Sequence, residues 1–257
     1  LAEIRRALQS PPPFRFLETS GWSLPQPAEG SGPGILVARE LPAGRLETVR
    51  AYAKAHGVTV NDVFLAAHYR AVYRLAQPPA GTPLTLMTHV NHRRRLPDRQ
   101  AGAIANLAQP ALVNIGTELG ATFDDTVALV HAAMERVKQE PPMLAMLVLG
   151  AKMRSPLFRR RLQRKMAARP RPRRGAGAPP FNNIGQIDPT RLSLGVPATN
   201  AYLTACLSRA QDPSIQLVLT TCGEHVNLVI VTRKIGNNRE ILDMLLDAFE
   251  QELAATA

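Results

Sequence analysis

The stretch from Gly57 to Ala67, Gly-Val-Thr-Val-Asn-Asp-Val-Phe-Leu-Ala-Ala, constrains this chain more than any other. It reads as one helix ending and a longer one beginning almost at once. Gly57 closes the run from Arg45 to His56 with a residue free to take positive φ. Thr59 then stands three residues ahead of Asp62, the spacing at which each side chain can satisfy the other's backbone N–H. Beyond it Val60, Val63, Phe64, Ala67, Ala71, Val72 and Leu75 recur at three- and four-residue spacing and form a broad apolar face. A helix of this kind must pack into a core. On the capping reading alone, Asp62→Ala is expected to cost on the order of 1 kcal/mol.

At 257 residues, 45% hydrophobic and 20% charged, the chain can bury a substantial core as one large domain or two small ones. No charge-free apolar run reaches about eighteen residues, so no transmembrane helix is expected. The chain opens on Leu1 without the apolar core of a signal peptide, which suits a fragment or an excised lobe. Cys206 and Cys222 lie in apolar strand-like runs and read as reduced, buried thiols of a cytoplasmic protein rather than a disulfide. No Cys/His cluster has metal-ligand spacing. The formal net charge of +11 is local: the segment from Phe158 to Arg174 carries nine basic residues and no acid, which leaves +2 for the remainder. Charge therefore does not argue for DNA binding by the whole chain.

Residues 1–34, with Pro11-Pro12-Pro13, Pro25 and Gly34, read as an irregular Pro/Gly-rich connector that Trp22 clamps to the body. Residues 35–257 read as one lobe. Ile35–Glu40 is a strand, Arg45–His56 a helix, Leu84–Val90 a strand, and Asn106–Ile115 a strand interrupted at Pro110. Thr122 and Asp125 repeat the capping pattern before a helix with Val127, Val130, Met134 and Val137 inward. Met143–Met153 is apolar nearly all round and must be covered. A basic Arg/Pro-rich insertion at about 155–180 follows and dissolves into Pro170, Pro172, Gly175, Gly177 and Pro179-Pro180, which cannot hold a helix. Strands are expected at Phe181–Ile187, Ala201–Ser208, Ile215–Thr221 and Val226–Thr232, the last two joined as a hairpin through Gly223-Glu224-His225. Asn237 caps a final helix with Glu240 three residues on. The order predicts an α+β chain: a mixed sheet with helices mainly on one face.

The six histidines are His56, His68, His89, His92, His131 and His225. None has an Asp four residues on. His131 has Glu135 at that spacing, which fits a surface pair one helical turn apart, and His68 borders the apolar face as a hydrogen-bonded edge residue. No catalytic base emerges, and no phosphate-binding or nucleophile-elbow motif. Asn91 to Arg95 ends a buried strand, where Arg93 can tie neighbouring backbone or hold an acidic group. The basic tract of Arg159, Arg160, Arg161, Arg164, Lys165, Arg169, Arg171, Arg173 and Arg174 has two open readings. It is a solvated face, or it docks an acidic carrier protein or the phosphates of coenzyme A. Nucleic acid ranks behind both, because stacking aromatics are missing from the tract.

Several of these pieces, in this order, resemble condensation-domain acyltransferases and wax ester synthases. Thr59 to Ala67 is similar to their "TvNDvlLAA" segment, His89 to Arg95 to a "vpvnlR" strand end, and Gly102 to Leu107 to "GnxxN". Asn182-Asn183-Ile184-Gly185 resembles "SNiG", with Asn182 where serine is usual. The resemblance runs from about Ile35 to Leu253, except the basic region. It implies a chloramphenicol-acetyltransferase-like sandwich of two lobes with a tunnel between them. The catalytic His-His-x-x-x-Asp-Gly of such proteins is in the first lobe and absent here, so the chain corresponds to the second. A coenzyme A or phosphopantetheine thioester would be co-substrate, an acidic acyl or peptidyl carrier protein a partner. By the same likeness Asn61, Asp62, Asn91, Arg93, Asn106, Asn183 and Gly185 would form the interlobe wall.

Overall fold

Thr59 and Asp62 make the reciprocal cap their spacing predicts. The Asp62 N–H donates to Thr59 Oγ1 at 3.2 Å and the Thr59 N–H to Asp62 Oδ2 at 3.1 Å. Gly57 takes a φ of 66°, and that left-handed turn separates helix α1 (Arg45–Ala55) from helix α2 (Val60–Ala76). The second capping pattern also forms: Thr122 and Asp125 exchange N–H···O bonds at 2.9 and 3.1 Å ahead of helix α3 (Phe123–Gln139). Hydrogen bonding from the Thr122 backbone N–H, and then from its hydroxyl, holds the Asp125 carboxyl below the usual carboxylate range. The computed structural model describes residues 22–25, 32–95, 108–139, 152, 154–167, 180–192, 195–196, 198–204, 215–234 and 238–256.

Strands β1 (Gly34–Glu40), β2 (Thr85–Asn91), β3 (Ala108–Asn114), β4 (Phe181–Ile187), β5 (Gln216–Cys222) and β6 (His225–Arg233) form two sheets. The larger has the order β1-β6-β5-β4, with β4 parallel to β5 and the other pairs antiparallel. The hairpin between β5 and β6 pairs Cys222 with His225 across a two-residue turn, as its apolar runs predict. The smaller sheet is the antiparallel pair β2–β3. Pro110 does not interrupt β3 as expected: it pairs with His89 in unbroken register. A strand with only one neighbour can turn the missing N–H away from the ladder.

The core lies between α2, the sheet and the last helix α5 (Asn238–Leu253). Phe64 of α2 stacks on Phe249 of α5 at 6.3 Å between ring centroids, and Phe181 of β4 stacks on Phe249 at 6.4 Å. His68 sits among these rings, 5.3 Å from Phe181. Arg70, one helical face round, ties three helices together. It donates to Glu252 of α5 at 2.6 Å, and to the Thr122 carbonyl and Thr126 Oγ1 of α3, each at 3.1 Å. Trp22 is buried as the predicted clamp, its Nε1–H donating to the Thr85 carbonyl at 3.1 Å and its ring stacked on Tyr69.

One further expectation is corrected. Residues 201–204 are not strand: the Leu203 N–H donates to the Thr220 hydroxyl instead of a ladder carbonyl. The rest of Ala201–Ser208, including Cys206, lies outside the described residues, whereas Cys222 is a buried free thiol. Ahead of the Pro/Gly stretch that starts at Pro170, the basic insertion holds a helix that the sequence reading did not place, α4 (Pro156–Ala167). Ser155 receives the Phe158 N–H on its hydroxyl and Pro156 opens the helix, a start signal hidden by the surrounding prolines. The Asn237 cap lies outside the described residues, as does the apolar run Met143–Met153 apart from Lys152. Among the described residues no helix is long and apolar enough to cross a membrane.

Candidate functional site

The residues proposed for the interlobe wall fall into three local groups. Asn91 ends β2, and its Oδ1 accepts the Arg93 N–H at 3.0 Å, a turn that starts the short 3-10 segment His92–Arg95. Asn183 does the same in β4, its Oδ1 accepting the Gly185 N–H at 2.9 Å. There the ladder slips: Asn183 pairs with Leu219 and Gly185 with Thr220, so Ile184 is the extra residue of a bulge. Gly185 takes a φ of 88°, which this turn requires and which a side chain resists. The bulge turns Ile184 into solvent, 40% exposed. Asn106 lies outside the described residues, as do the side chains of Arg94 and Arg95.

Asn61 and Asp62 part company within one turn of α2. Asn61 is half-buried, whereas Asp62 is completely buried and faces α3. Its Oδ2, already in the cap, lies 2.8 Å from His131 Nδ1. Its Oδ1 is buried without a hydrogen bond among the described residues. The expected His131–Glu135 pair is therefore corrected: Glu135 receives Lys138 at 2.6 Å, and His131 turns inward to the carboxylate of another helix. The reason is energetic. A buried carboxylate needs a charged or N–H partner far more than an exposed Glu does.

Two other imidazoles meet carboxylates: His225 Nδ1 is 2.6 Å from Glu40 Oε1, and His56 Nε2 is 3.8 Å from Asp124 Oδ2. Asp124 also accepts the Tyr52 hydroxyl at 2.5 Å, and burial pushes that phenol well above its ordinary range. Glu40 further receives Asn200 Nδ2 at 3.1 Å, and Asn227 Nδ2 donates to Asn200 Oδ1 at 2.8 Å. This polar cluster pins residues 198–204 against β5 and β6. Reading the segment as a strand concealed it. An open concavity of about 540 Å³ is lined by Arg70, Tyr73, Arg74, Glu118 and Glu252, but Arg70 and Glu252 are spent on each other. It includes neither His131 nor Asp62. No group of three or more metal-ligating side chains occurs among the described residues.

Sequence reasoning missed a run of exposed apolar side chains. Ile184, Leu192, Val196, Tyr202 and Leu203 are all exposed, Val196 to 71% and Leu203 to 50%. They follow one another along residues 184–203, beside the Asn183–Gly185 bulge and over β5 through the Leu203–Thr220 bond.

On β2, burial lowers the His89 imidazole from its ordinary range, and its Nδ1 has no hydrogen bond among the described residues. A base whose folded value lies below its unfolded one stabilises the fold above about pH 6.5 and loses that contribution on acidification. Urea midpoints should therefore fall between about pH 7.5 and 5.5. His89→Gln should flatten part of that slope, and an unchanged slope would refute the assignment.

The exposed arginines of the basic tract are Arg159, Arg160, Arg161 and Arg164, all on α4. The Lys165 side chain and Arg169, Arg171, Arg173 and Arg174 lie outside the described residues.

No protein-family profile and no curated protein sequence matches the chain. Solved structures do. The epimerization domain from the third module of tyrocidine synthetase B superposes with a TM-score of 0.64 at 14% identity, over 100% of this chain and 56% of its own. The trichothecene 15-O-acetyltransferase TRI3 from Fusarium sporotrichioides gives 0.61 at 15% identity, over 98% of this chain and 52% of its own. The cyclization-docking bidomain of EpoB from Sorangium cellulosum gives 0.59 at 16%, over 99% and 47%. The chain thus has the α+β condensation-domain, chloramphenicol-acetyltransferase-like fold, and it spans about half the length of these structures.

Proposed function

We propose that this chain is the C-terminal half of a condensation-type acyltransferase. It forms one wall of a tunnel whose proton-removing histidine belongs to a preceding lobe. The observation that carries this reading is the exposed apolar run of Ile184, Leu192, Val196, Tyr202 and Leu203 beside the Asn183–Gly185 bulge. Exposed apolar side chains in such a run suit a surface that another body covers. That the chain matches about half of each neighbour's length supports the same reading.

In the complete protein the reaction is acyl transfer from a coenzyme A or phosphopantetheine thioester to a hydroxyl or amine. No covalently held cofactor is needed. The acceptor must lose a proton as it attacks the thioester carbon, so a base must stand within hydrogen-bond reach. His131, His225 and His56 are each committed to a carboxylate, at Asp62, Glu40 and Asp124, in three separate places. The chain's part is to shape the wall and hold Asn91 at the end of β2 and Asn183 at the β4 bulge. Alone, it is inactive.

The test is direct. Incubated with acyl-coenzyme A and alcohol or amine acceptors, this polypeptide should give no product above the solvent background. Adding a polypeptide that carries the His-His-x-x-x-Asp-Gly lobe should restore turnover. Turnover by the chain on its own would overturn the proposal. A second reading, a non-catalytic module for an acidic protein or anionic ligand, is favoured by the exposed arginines of α4.

A further inference from the structure

Helix α4 stands apart from the rest of the fold in its chemistry. From residue 141 to 187 the sequence carries eleven basic residues and no acid, as many as the chain's whole formal net charge of +11. Nine of the eleven are arginine. Arg159, Arg160, Arg161 and Arg164 are exposed, and no ion pair among the described residues engages them. In their midst Leu157 is 79% exposed, more than any other large apolar side chain described. Arg160 and Arg161 follow Leu157 by three and four residues and Arg164 by seven, so all share its face of the helix. Phe158, one position round, is half-buried.

An exposed leucine ringed by guanidinium groups is the pattern of a helix that settles into a charged interface. The apolar tip enters the acyl boundary while the long cationic side chains reach sideways to phosphates. We propose that α4 is a docking surface for an anionic phospholipid bilayer. Arg160, Arg161 and Arg164 stand within about 60° of Leu157 on either side, so a headgroup layer into which Leu157 dips meets all three. Arginine rather than lysine suits phosphate oxygens, which accept two parallel N–H bonds from one guanidinium. The inference stands on α4 alone and does not depend on the tunnel reading.

The experiment is vesicle co-sedimentation of the full chain. With phosphatidylcholine vesicles containing about 30 mol% phosphatidylserine, at about 0.1 M salt, the protein should pellet with the lipid. It should stay in solution with phosphatidylcholine alone, and be released at about 0.5 M salt. Each arginine is expected to contribute about fivefold, so Arg160→Gln/Arg161→Gln/Arg164→Gln together should weaken partitioning on the order of 100-fold. Leu157→Ser should weaken it about tenfold without changing the salt dependence. Circular dichroism and the melting temperature of each variant should match the parent, because these side chains are exposed. Failure of the parent to bind anionic vesicles overturns the proposal, as does binding that survives the triple substitution. So does the result in which vesicles are ignored while an acidic acyl carrier protein binds through the same three arginines.

Discussion

Tyr69→Phe should destabilise the chain by about 3 kcal/mol, although it removes a single oxygen. Tyr69 is fully buried on α2, and its hydroxyl works in both directions. It donates to the Val113 carbonyl at 2.5 Å and accepts the Leu86 N–H at 3.2 Å. Leu86 and Val113 are opposite one another in the β2–β3 pair, so one side chain from the helix holds both strands of the small sheet. Burial pushes its phenol far above the ordinary range, which keeps the donor proton in place at any working pH. A buried backbone group left without a partner costs about 1–3 kcal/mol, and the substitution strands two of them. Urea unfolding at neutral pH measures the difference. A loss below about 1 kcal/mol would mean that other groups serve Leu86 and Val113. Amide exchange at Leu86 should also accelerate in the variant, a readout that a diffuse loss of packing would not single out.

His131→Ala should cost about as much, near ~3 kcal/mol, for a different reason. Asp62 has no exposed surface, and its Oδ1 has no hydrogen bond among the described residues. Its charge is met by the Thr59 N–H and by His131 on the neighbouring helix. Removing one member of a buried pair costs about 3–5 kcal/mol because the other charge stays behind. His131 keeps 34% of its side chain in solvent, which places the effect at the lower end. The double variant His131→Ala/Asp62→Asn should recover more than half of the loss, since the stranded charge goes with it. If the double variant is the less stable of the two, the buried charge is not what His131 serves. Asp62→Ala now carries more than the lost cap, about 2–3 kcal/mol, because it also strips His131 of its partner.

The capping signals were legible because they are local. Thr59 with Asp62 and Thr122 with Asp125 each close over three residues, and no distant part of the chain can change that spacing. The β5–β6 hairpin is local in the same sense. The partner of His131 was not legible. Sequence distance favoured Glu135, one turn away, whereas the structure supplied Asp62 from 69 positions earlier. Residues 201–204 misled for a related reason: their apolar, strand-like pattern is met by side-chain bonds from Thr220 and Asn227 instead of a ladder. Helix α4 was obscured by composition, since prolines and arginines nearby outweighed the Ser155-Pro156 start.

The sequence by itself determined where helices begin, which faces are apolar, and the ordered motifs whose implied condensation-domain fold the structure bears out. Only the tertiary structure decided that Asp62 is a buried helix-to-helix tie, that Tyr69 holds β2 to β3, and that apolar side chains of 184–203 lie open. The physical reason is range. Caps and amphipathic faces are set by neighbours a turn away, whereas burial, which makes a lone carboxylate or an unpaired carbonyl costly, exists only once distant segments have closed around it.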